Sequence, residues 1–85
     1  SYNYAETLYF LGRKSEAQKM LTDTAKLIGE LKDKGDLTHV GALSGYRTHD
    51  LLTAIFQECR KEKKAKNHEN AAKKYERSLG LNLRK

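Results

Sequence analysis

Arg47, Thr48, His49 and Asp50 stand in a row, and Arg60, Lys61, Lys63, Lys64, Lys66, Lys73, Lys74 and Arg77 crowd the last third of the chain. These types suit recognition of an acidic polymer. An Arg fork grips guanine at two points, Thr and His bond base edges or phosphate, and Asp accepts from cytosine or caps a helix. Lysines and arginines in series neutralise phosphates and release counterions, giving an affinity that falls steeply with salt. Bond-making chemistry has no such candidates. No Ser or Cys stands in a nucleophile motif beside a base, and no glycine-rich phosphate loop occurs, so neither enzymatic activity nor a cofactor is expected. His39, His49, Cys59 and His68 are spread along the chain, whereas zinc ligands come in close pairs. No metal site is expected.

The charge is unevenly placed. The 85 residues carry 17 Lys and Arg against 11 Asp and Glu, a net +6. Residues 1–59 hold seven basic against eight acidic side chains, or −1, and residues 60–85 hold ten against three, or +7. A block of one sign repels itself and destabilises a compact state, so its presence points to an acidic partner. Against this stands a plainer reading, a solvated helix whose Glu62, Glu69 and Glu76 make local ion pairs of a few tenths of a kcal/mol each.

The elements that must position these side chains read as helical throughout, with glycines as punctuation and no period-2 strand. Asn3 is a possible cap for a first short helix carrying Tyr4, Leu8 and Leu11, interrupted at Gly12. Ser15 to Gln18 form a capping-box sequence, and Ala17, Leu21, Thr24, Ile28 and Leu31, widened by Met20 and Leu27, predict an amphipathic helix over 15–34. Asp36 is placed to cap a third over 37–43, broken at 44–46. A fourth begins near Thr48 and buries Leu51, Leu52, Ile55, Phe56 and Cys59, with 60–66 as its charged extension. Asn67 then caps a last helix bearing Ala71, Ala72, Tyr75 and Leu79, ended by Gly80. The expectation is one all-α domain over 1–85, a bundle of four to five helices with a basic terminal helix and tail at 60–85. Tyr2, Tyr4, Tyr9 and Phe10 read as core and rim packing, with a dimer contact as the alternative.

Leu37 to Phe56 resembles the helix-turn-helix of DNA-binding regulators, with Gly41 as the small residue at the helix crossing, Gly45 as the turn, and Val40, Tyr46, Leu51 and Ala54 as packing positions. Ser44 and Gly41 depart from that pattern. The resemblance implies a second helix whose exposed first turn presents Arg47, Thr48 and His49 to the major groove. Residues 11–21 resemble the turn of a tetratricopeptide repeat at Gly12 and Ala17, and residues 66–79 echo it at Ala71, Tyr75 and Leu79. The two copies lie too far apart for a tandem array, which leaves a helical hairpin suited to partner peptides. Residues 66–77 share types with a bZIP basic region, but Asn67 is one residue too far from Ala71 and Ala72.

Together these readings predict a small DNA-binding protein, a regulator or accessory factor, whose contacts are Arg47, Thr48, His49 and the basic residues from Arg60 to Arg77. The runner-up is a helical interaction module or inhibitor docking an acidic protein, and charge alone also admits RNA. Palindromic sites imply a homodimer through the N-terminal helices. The longest apolar run, 8–11, is too short for a membrane span, and a lone Cys59 suits a reducing cytoplasmic or nuclear compartment.

Overall fold

The structure, a computed structural model, describes residues 2–79. Among them are four helices and no strand: α1 (Tyr2–Phe10), α2 (Lys14–Asp33), α3 (His39–Glu58) and α4 (Glu62–Ser78). The expected all-α bundle is present, at the lower of the two helix numbers. Among the described residues no helix is long and apolar enough to cross a membrane. The expected stop at Gly80 and the charges of Arg84 and Lys85 lie outside the described residues.

Each of the three turns closes the preceding helix in the same way. After α1 the Gly12 and Arg13 amides donate back to Tyr9 and Leu8, after α2 those of Gly35 and Asp36 donate to Lys32 and Leu31, and after α3 those of Arg60 and Lys61 donate to Gln57 and Phe56. This paired pattern satisfies carbonyls that the helix end leaves open, and it requires a left-handed residue just past the cap. Gly12 (φ +83°) and Gly35 (φ +75°) meet that demand without strain. Arg60 meets it at φ 59°, with a Cβ crowding the carbonyl.

That third turn corrects the expected helical extension through 60–66: the chain breaks at Arg60, and α4 starts at Glu62 rather than at Asn67. Cys59, expected on the buried face, is exposed. The expected break at 44–46 is corrected in the opposite sense. Gly41, Ser44 and Gly45 all lie inside one continuous α3, and the helix is capped by Thr38, whose hydroxyl accepts from the Gly41 amide at 3.0 Å. Asp36 is not the cap. Val40, a packing position of the resemblance, is 71% exposed. A helix-turn-helix needs two helices here and the chain supplies one.

The core has two parts. Ala5, Leu8, Ala17, Leu21, Leu52, Ile55, Phe56 and Ala65 join all four helices at one end, and Ile28, Ala42, Tyr75 and Leu79 form a second cluster under Leu37, Leu43 and Tyr46. The buried stripe of α2 is narrower than its periodicity predicts, because Leu27 and Leu31 are exposed. The reason is length. α1 has nine residues and lies beside only the first half of the twenty-residue α2. The hairpin of α1 and α2 does turn at Gly12 and bury Ala17, as the repeat-like pattern implies, and it is fastened to α3 by Glu58, which accepts from Tyr9 and pairs with Lys14 at 2.6 Å.

Candidate nucleic-acid interface

α4 sits at the side of the bundle, packed on α3. Ala65, Ala72, Tyr75 and Leu79 turn inward, and the approach is close because α3 has no side chain at Gly45. A Cβ there would stand 3.0 Å from three atoms of the Tyr75 ring. From this seam four rings stack in sequence: Phe56 on His68 (centroids 5.3 Å apart), His68 on His49 (5.1 Å) and His49 on Tyr75 (5.7 Å). An ammonium meets each end of the column, Lys64 Nζ 5.6 Å from the Phe56 centroid and Lys32 Nζ 5.2 Å from that of Tyr75. Cations over ring faces are held by the ring quadrupole.

At its centre His49 Nδ1 and His68 Nδ1 are 2.9 Å apart. One nitrogen must carry the proton and donate while the other accepts, so two charged rings cannot coexist in this geometry. Burial, and then the neighbouring His68, holds His49 down at about 4; burial, and then Lys64, lowers His68. Both rings are therefore neutral at pH 7.

The structure thus reassigns the first set of expected contacts. Thr48 is fully buried, and His49 is neutral and packed between His68 and Tyr75. Arg47 is exposed, but it projects from the middle of α3, on the side that influences Tyr2 of α1. The three do not form an exposed helix start, because there is no helix start at this point.

Of the second set, Lys63, Lys74 and Arg77 share one exposed line. Lys63, Asn67, Asn70, Lys74 and Arg77 follow one another at alternating intervals of four and three residues, so they form one line on α4, and all five are exposed. The line runs for about 21 Å at 1.5 Å per residue. Lys66 and Lys73, seven residues apart, run beside it. Glu62, Glu69 and Glu76, also seven apart, form a separate stripe nearer the seam, where Glu76 is buried and Glu69 is reached by Lys66 at 3.3 Å. The acids are thereby gathered away from the outward line. Lys64 stands on the other flank over Phe56, and Arg60 and Lys61 extend the positive surface into the α3–α4 turn.

In the sequence Asn67 was legible as a cap and Asn70 carried no reading, because their neighbours in the line are separated from them in sequence. The available signal was the four-three spacing itself, carried by polar rather than apolar residues. Elsewhere, a groove between α1 and α2 is lined by Tyr4, Leu8, Met20, Arg13, Glu16 and Asp23, with mixed signs and no gathered charge. Of the residues expected to pack at core or rim, Tyr2 and Tyr9 pack against the core, whereas Tyr4 and Phe10 are exposed, as is Leu11. No group of three or more His, Cys, Asp or Glu among the described residues is placed to hold a metal ion. No protein-family model, curated protein or solved structure matches this chain.

Proposed function

We propose that this protein binds nucleic acid through the outward face of α4. The observation that carries the reading is the segregation of charge on that helix: Lys63, Lys74 and Arg77 in one exposed line, Lys66 and Lys73 beside it, and the three glutamates collected along another edge. A merely soluble helix gains from interspersed signs, which relieve self-repulsion and support pairs between successive turns. Here repulsion along the line is retained, and phosphates opposite it would relieve the repulsion while releasing counterions.

Arg60 supports the same reading. Two of the three turns use glycine at the left-handed position, while the turn that adjoins the basic face uses an arginine there despite the strain. A guanidinium at that point extends the positive surface beyond the start of α4.

The test is the salt dependence of binding to duplex DNA by the protein and by a variant with Lys63, Lys66, Lys74 and Arg77 replaced by Gln. Gln nearly matches Lys and Arg in helix propensity, so helicity should hold. Affinity should fall, and the slope of log K against log salt should shrink by up to about 0.9 for each side chain that meets a phosphate. An unchanged affinity and slope would show that the face is only solvated.

A further inference from the structure

The two amides at the centre of the basic line carry information beyond charge. Asn67 and Asn70 are exposed, and their side chains have no hydrogen-bond partner among the described residues. They lie one turn apart on the same face, with Lys63 one turn before them and Lys74 and Arg77 in the turns after. Along the axis they are separated by about 4.5 Å, comparable with the rise of about 3.4 Å between base pairs. A helix lying in a groove points the middle of its outer face at the groove floor and its ends and flanks at the phosphate walls. Amides at the middle and cations around them match that division, since phosphate contacts position a protein and base-edge contacts specify sequence.

We infer that α4 enters the major groove of duplex DNA, where Asn67 and Asn70 read adenine. An Asn side chain accepts from adenine N6 and donates to N7, a pairing that only the major groove offers. Duplex RNA is the poorer fit, because its deep, narrow major groove does not admit side chains on a helix. α4 is free to enter because it packs on α3 and leaves its outer line uncovered. Glu69, the acid nearest in sequence to both asparagines, is engaged by Lys66. This inference rests on the nucleic-acid reading of the same face, and its test separates the two.

The full chain is titrated with a mixed-sequence duplex and with the same duplex carrying 7-deazaadenine at every adenine, which keeps pairing and groove shape but removes the N7 acceptor. The protein should bind the natural duplex about tenfold more tightly, as expected for lost contacts of this kind. The Asn67→Ala, Asn70→Ala double variant should bind both duplexes alike, at the lower affinity and with an unchanged salt slope. Equal binding of both duplexes by the parent protein, with a steep salt slope, would overturn base reading and leave the electrostatic function standing. Absence of salt-dependent binding would remove both. Binding to duplex RNA as tight as to DNA would overturn the major-groove placement. The parent protein alone decides the matter should the double variant misfold, and circular dichroism reports that directly.

Discussion

The two faces of α4 are built from the same seventeen residues and obey opposite rules. The inner face is small and aromatic: Ala65 and Ala72 let the helix approach, and Tyr75 fills the space left by Gly45. Each side chain there is fixed by several neighbours, so any change of volume is felt. The outer face is long, flexible and charged, with each side chain meeting mainly water. Replacing one of its lysines should change stability by less than about 0.5 kcal/mol. The comparison teaches that stability and binding are separable on this helix, one on each side.

The largest expected effect falls on the inner face. Tyr75→Ala removes a buried ring that meets Gly45, His49 and Lys32, and should cost about 3 kcal/mol, a large share of the stability of so small a domain. Thermal or urea unfolding measures it. A loss as small as that of an outer lysine would end the distinction between the faces.

Gly45→Val should cost about 2 kcal/mol, because a branched side chain is forced against the Tyr75 ring. Pairing it with Tyr75→Ala in a double-mutant cycle sharpens the point. The cost of the valine should shrink when the ring is absent, whereas a cost arising from α3 alone would be unaffected.

Acid should loosen the same seam. His49 binds a proton at about 4 in the folded chain against 6.5 for a free imidazole, and His68 is lowered as well. The unfolded chain therefore holds more protons between these values, so stability is complete above about pH 6.5 and declines as pH falls toward 4. The rings are partly open to solvent, which reduces the effect to about 1 kcal/mol at pH 5. Urea midpoints at pH 5 and 7.5 should show it, and His49→Phe should flatten much of the difference.

A further small effect has the opposite sign. Arg60→Gly should raise stability by about 0.5–1 kcal/mol, since glycine occupies the left-handed region without strain. On the functional reading the same change should weaken DNA binding. A variant that is both more stable and equally tight would detach Arg60 from the interface.

The sequence by itself determined the helical class, α1 and α2 to within a few residues, the end of α4, and the gathering of charge after residue 59. These follow from local quantities: period, glycine stops and the order of lysines along the chain. Glycine also misled. At positions 12 and 35 it marks turns because the backbone there is left-handed, while at 45 it sits within a helix because a ring from another helix needs the space. Nothing local distinguishes these uses. Arg60 hid the α3–α4 break for the converse reason, since its left-handed conformation is imposed by the closing turn rather than by its type. Only the tertiary structure decided that Thr48 and His49 face inward, because burial depends on which helices lie against α3, and His49 is covered by His68 and Tyr75 of α4. The same packing selected which lysines of α4 face outward with Asn67 and Asn70, since a helix has no outer face until something covers the inner one.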